Sequence, residues 1–240
     1  IEFNVDGEDP MTSNATIKDR NGVVATYVAG NESAIGYVSF VTLEEKASEL
    51  KGLTVDGVEP TAANVLEGTY GVSRPFMMVY KDENLTDVER AFIDFLASKD
   101  GLEVLESTGT IVDTANAEDF DMSKYDNLTG NMTLGGSTST EKAVKAAADE
   151  FTALFPKVTY TYDGTGSGTG VKNAQDGTYT LGFASRELKE SEIESGLAYS
   201  TLCMDGIAVV VNKENSTNDI TLEQIREVYI GKITDWNEVK

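Results

Sequence analysis

The 240-residue chain has 19 basic and 41 acidic side chains, a net charge of −22, one cysteine and no histidine. Such a surface repels nucleic acid and anionic lipid, and a chain without histidine has no imidazole general base and no histidine metal site. No apolar run reaches membrane-spanning length, and Cys203, between Leu202 and Met204, is read as a buried, inert thiol.

Residues 1–20 are polar and loop-like. Val23, Val24, Tyr27 and Val28 recur at helical spacing and predict a helix over 22–29, ended by Gly30-Asn31. Residues 34–40 read as a buried strand, 42–50 as a short helix, and 53–56 as a strand closed by the turn signal Asp56-Gly57. A helical turn follows Pro60, and a strand over 72–80 is entered through Pro75. Thr86 and Glu89 stand at capping-box spacing before the stripe Val88, Phe92, Phe95 and Leu96, which continues past Gly101 through Leu102 and Leu105. The acidic stretch 113–130 lacks apolar periodicity and reads as a linker.

Met132 and Leu134 open a new strand that runs into Gly135-Gly136-Ser137-Thr138-Ser139. Thr138 and Glu141 have capping-box spacing, and the helix behind them buries Val144, Ala147, Ala148, Phe151, Leu154 and Phe155. Residues 157–162 alternate like a strand. The loop 164–170, of glycine, serine and threonine, then opens a helix over 171–175, and a strand over 179–184 leads into Ser185-Arg186. The β-branched run 207–211 reads as a fully buried parallel strand, and Thr221 with Gln224 caps another helix. Strands alternating with helices predict α/β architecture. Two hydroxyl-rich loops at helix starts offer N–H and O–H donors to a small oxyanion. Serine and threonine also cap helices with no ligand present, so both readings stand at this point.

These residues resemble the phosphate-binding proteins of bacterial ABC phosphate importers, which have two-lobed periplasmic-binding-protein folds. The likeness rests on Gly136-Ser137-Thr138-Ser139, Gly166-Ser167-Gly168-Thr169-Gly170-Val171, Gly182-Phe183-Ala184-Ser185-Arg186, the stretch 205–212 and Tyr229-Ile230-Gly231-Lys232-Ile233-Thr234-Asp235-Trp236. The first half adds 34–39, 55–61, Ser73-Arg74-Pro75-Phe76 and 91–95. Residues 1–120 look like the family's C-terminal half and 131–240 like its N-terminal half. The resemblance therefore implies a circularly permuted fold, or one composed of halves of tandem domains, with the tandem origin preferred. The family's Gly-Ser-Gly-Thr-Arg loop, expected between Lys240 and Ile1 in family order, is absent, so the second lobe is incomplete.

By this resemblance lobe 1 spans 72–211 and contains the linker at about 113–130. Lobe 2 combines 1–71 with 212–240, and 76–80 and 207–211 are the crossovers. The resemblance implies a phosphate site built from Thr138, Ser139, Ser167 and Ser185. Arg186 either forks onto the anion or lies in solvent or in an ion pair between lobes. Phe76 is expected in the core and Trp236 in surface or lobe packing. The implied function is extracytoplasmic capture of inorganic phosphate, or a similar oxyanion, and its delivery to an ABC permease. No cofactor, metal, catalysis or nucleic acid is involved, and the full-length protein is expected to be lipid-anchored at the cell surface. The alternative is a surface interaction or sensor module on the same fold with weak or lost oxyanion binding.

Overall fold

A computed structural model of the chain describes residues 11–18 and 21–239, so most of the loop expected over 1–20 lies outside the described residues. The chain divides into two compact units, Ile1–Ser73 with Gly206–Lys240, and Arg74–Asp205.

In the first unit, α1 (Asn21–Ala29) packs Ala25 and Val28 onto a small core with Val38, Leu50, Ala208 and Val210. It leads to β1 (Ile35–Ser39) and α2 (Phe40–Glu45). The helix expected over 42–50 thus starts two residues earlier and ends sooner. Ser39 Oγ accepts from Thr42 N–H and fixes the start, while Leu50 is drawn into β2 (Leu50–Gly52) with its side chain 1% exposed. β3 (Thr54–Val55) turns at Asp56-Gly57, where both residues have positive φ, before α3 (Ala62–Leu66), capped by Thr61.

The second unit takes the chain from β4 (Ser73–Tyr80) into α4 (Asp87–Ala97), which opens with the expected Thr86–Glu89 capping box. The helix does not run on through Gly101. Ser98 ends it in extended conformation and caps α5 (Lys99–Ser107), accepting from Gly101 N–H at 3.2 Å. A Cβ on Gly101 would sit 2.0 Å from Phe95 O, so glycine is what permits this break.

The acidic stretch 113–130 is mostly exposed but is tied down at several points rather than slack. Glu118 O accepts from Lys99 N–H, Asp100 accepts from Phe120 N–H, Tyr125 O–H donates to Asp94, and Leu128 is buried. Phe120 holds it down through edge contacts to Phe95, Phe151 and Phe155. Ring packing by Phe120, which also stacks on Tyr125, helps to hold a stretch whose neighbours are polar.

β5 (Gly130–Gly136), α6 (Glu141–Leu154), β6 (Val158–Asp163), α7 (Ser167–Asp176) and β7 (Leu181–Ala184) follow in alternation. After α8 (Glu190–Ile193) comes the long β8 (Ala198–Asn212). The strand order in this unit is β8–β4–β7–β5–β6. β5 runs parallel to both β6 and β7, and β4 runs antiparallel to β7. The main core lies under α4, α5 and α6, with Phe92, Phe95 and Phe151 fully buried.

β8 leaves this unit at Asp205 and continues into the first, where it pairs with β1 and β2. Both pairings are antiparallel, against the parallel strand expected over 207–211. A continuous β-branched run reports burial on both faces and carries no information on strand direction. The crossings also fall at Ser73/Arg74 and Asp205/Gly206 rather than within 76–80 and 207–211. Those apolar stretches are interior strands of one unit each, and the chain crosses at the polar residues just before them. β9 (Asp219–Ile220) pairs in parallel with β3, and α9 (Leu222–Tyr229) opens with the expected Thr221–Gln224 box.

Among the described residues no helix is long and apolar enough to cross a membrane. Cys203 is buried among core residues, and burial pushes its thiol up to about 12. It is therefore protonated at neutral pH. A water-soluble thiol reagent is expected to leave the native chain unmodified and to label it once guanidinium unfolds it. Rapid labelling of the native chain would contradict that burial.

Candidate functional site

The parallel strands β5, β6 and β7 end side by side, at Gly136, Asp163 and Ala184. Each hands the chain to a loop of small residues at its C-terminal end, where open α/β sheets collect ligands. The approach is close because glycine lines it. A Cβ on Gly136 would lie 2.1 Å from Phe183 O, and one on Gly170 2.6 Å from Gly136 Cα. Gly166 N–H donates to Gly136 O at 2.7 Å, and Ser137 N–H to Phe183 O at 2.9 Å, tying the three loops together.

Four hydroxyl residues follow from this scaffold. Ser137 Oγ donates to Ser185 Oγ at 2.9 Å, and Ser185 N–H donates to Ser167 Oγ at 3.1 Å. Ser139 N–H donates to Ser137 Oγ at 3.2 Å. Ser139, Ser167 and Ser185 are therefore gathered in one cluster, through Ser137. That residue was not among those singled out in the sequence, although it directly follows the strand end and is only 3% exposed. Its carbonyl accepts from Tyr162 O–H at 2.6 Å and Thr140 Oγ at 2.9 Å, which sets the loop's conformation. Burial pushes the Tyr162 phenol up to about 12, so it remains a donor at neutral pH.

Thr138 lies on the same loop but is exposed, with its methyl toward Gly164. No hydrogen bond joins it to the cluster among the described residues. The expected Thr138–Glu141 capping box is replaced by a later start: Thr140 is the N-cap, and its hydroxyl turns back to Ser137 O. α6 consequently opens without a side-chain cap, as does α7 behind Gly166. Ser39, Thr61, Thr86, Ser98 and Thr221, by contrast, each cap a helix elsewhere. The two helices at the cluster thus keep first-turn N–H groups that no capping side chain occupies.

Arg186 lies in an ion pair, though not one between lobes. Its Nη1 and Nη2 fork onto Glu192 at 2.8 Å each, and Nη1 also donates to Glu187 O. These hydrogen bonds hold the Glu192 carboxyl below the usual carboxylate range. Both partners belong to the 74–205 unit, so the pair is internal to it. Arg74 touches the cluster, its Nη2 donating to Ser139 Oγ at 3.2 Å. The motif Ser73-Arg74-Pro75-Phe76 stood out in the sequence, but nothing local connects residue 74 with residue 139. Phe76 is in the core as expected, and the Trp236 indole N–H donates to Ser33 O.

Residues 116–240 match the PBP superfamily domain. Phosphate-binding protein PstS 2 of Streptococcus agalactiae serotype V is 34% identical over 232 residues, 96% of this chain and 76% of the relative. The chain belongs to the PstS phosphate-binding protein family. The PstS 2 of Streptococcus pneumoniae serotype 4 is 32% identical over 232 residues, 97% of this chain and 77% of that protein. The solved structure of a phosphate ABC transporter's phosphate-binding protein from S. pneumoniae TIGR4 superposes with a TM-score of 0.90 at 31% identity, covering 99% of this chain and 90% of that one. The two-lobed periplasmic-binding-protein fold expected from the sequence is thereby shown. Each PstS 2 relative runs alongside nearly the whole chain in a single alignment, so these family members carry their halves in the same order. That order needs no splice between tandem domains to account for it.

Proposed function

We propose that this chain captures inorganic phosphate outside the cytoplasm and delivers it to the permease of an ABC importer, making and breaking no bond. The carrying observation is the serine cluster Ser137–Ser139–Ser167–Ser185 set between two helix starts without side-chain caps, in a chain a third identical to PstS 2. Short O–H donors and unspent first-turn N–H groups solvate an oxyanion without bulk water, and charge-assisted bonds to it are stronger than neutral ones. Thr138 completes the donor set from the loop's exposed side, while Arg186 is left out because Glu192 takes its fork. The relatives are named as binding proteins, which supports a carrier rather than a catalyst. A lipid anchor in the full-length protein would keep such a carrier near its permease.

Isothermal titration with phosphate and with sulfate tests this. The chain is expected to bind phosphate, and Ser185→Ala to weaken binding by about tenfold, as loss of one hydrogen bond to a charged group does. Absence of any phosphate heat from the unmodified chain would refute the reading.

A further inference from the structure

An oxyanion in a chain of net charge −22 gains from a positive charge close at hand. Arg186 spends both terminal nitrogens on the two oxygens of Glu192. Arg74 is placed differently. Its Nε and Nη2 both donate to a single oxygen, Asp205 Oδ2, at 2.9 and 2.8 Å. The second Nη2 hydrogen reaches Ser139 Oγ at 3.2 Å, two residues from the buried Ser137 hydroxyl that links the cluster. Nη1 makes no hydrogen bond among the described residues. Phe76 supports the guanidinium from below, its ring centroid 5.9 Å from Cζ. The side chain is 37% exposed, so a solute can reach it, whereas Asp205 is 15% exposed and holds its orientation.

We propose that Arg74 is the cation of the oxyanion site, its Nη1–Nη2 edge donating to an anion seated on Ser139, Ser137 and Ser185. Asp205 engages the adjacent Nε–Nη2 edge of the guanidinium and fixes its plane, leaving Nη1 and the Nη2 hydrogen now on Ser139 Oγ to face the anion. A planar fork held in place loses little freedom when it meets two oxygens of a tetrahedral anion, which a lysine ammonium cannot reproduce. This inference rests on the reading of the serine cluster as a phosphate site.

The test is isothermal titration of the full chain with inorganic phosphate, with a circular-dichroism melt of every variant. Arg74→Gln is expected to raise Kd about 30-fold or more and Arg74→Lys about tenfold, the scale of a charged hydrogen-bonding fork lost or blunted. Arg90→Gln removes the same charge from α4, where Arg90 bonds Asp82, and is expected to stay within about twofold. Wild-type affinity in a folded Arg74→Gln variant overturns the role of Arg74 and leaves the site reading standing. If that variant does not fold, Arg74→Lys decides: a tenfold loss supports the proposal, and wild-type affinity overturns it. No phosphate heat from the unmodified chain overturns the site reading and the role of Arg74 with it.

Discussion

Gly136→Ala is expected to destabilise the chain by about 4 kcal/mol or more and to abolish phosphate binding, the range reserved for backbone collisions and strain at special conformations. Gly136 has φ +137°, which L side chains rarely adopt, and an added Cβ would lie 2.1 Å from Phe183 O and 2.9 Å from Phe183 N. These are backbone atoms of the adjacent strand, so no side-chain rotation relieves the clash. β5 and β7 would have to part at the point where Ser137 N–H meets Phe183 O, and the Ser137–Ser185 contact would open with them. Gly57→Ala separates conformational strain from collision. Gly57 has φ +76° with open space around it, so its loss is expected to cost only about 1–2 kcal/mol. Thermal melts and phosphate titrations of both variants decide the matter. A Gly136→Ala protein that melts and binds like the unmodified chain would show that the strand ends are not locked as described.

The second large effect lies away from the site. Phe151→Ala is expected to lose about 3–5 kcal/mol, a drop in Tm of roughly 6–20 °C for a chain of this size. Phe151 is fully buried on α6 and touches the rings of Phe92, Phe95, Phe120 and Phe155, with centroids 5.0 to 6.3 Å away. Truncation would leave a void among large rings that pack from α4, α6 and the 113–130 strap, none of which can collapse inward without losing its other contacts. Phosphate affinity measured well below the melt is expected to stay within a few-fold, since the hydroxyl cluster sits beyond the far, N-terminal end of the helix. A small stability change would show that the strap and α4 repack freely.

Much of this was legible along the chain. Thr86–Glu89 and Thr221–Gln224 read directly as helix starts because a capping box is a contact between residues three apart. The buried stripe of α6 and the alternation of β5, α6, β6, α7 and β7 likewise depend on local periodicity. The break at Ser98 was not legible. There a serine satisfies the end of one helix and the start of the next, while the apolar spacing runs through unchanged. Phe120 and Tyr125 show the same limit in another form, since two stacked rings in an acidic stretch help to pin it through partners distant in sequence. At the site, the loops and three of four singled-out hydroxyls came together, because each directly follows or opens an element whose end the sequence marks. Arg74 and Glu192 did not read out: which arginine meets the cluster and which meets a carboxylate depends on tertiary neighbours such as Asp205, distant in sequence from residue 74.

The Arg74–Asp205 pair, besides orienting a guanidinium, joins the first and last residues of an uninterrupted segment inserted into a discontinuous partner. Once that insert has folded, its two ends stand one ion pair apart. The flanking pieces of chain then meet across a short gap, relieved of the loop-closure entropy that a floppy insert would impose.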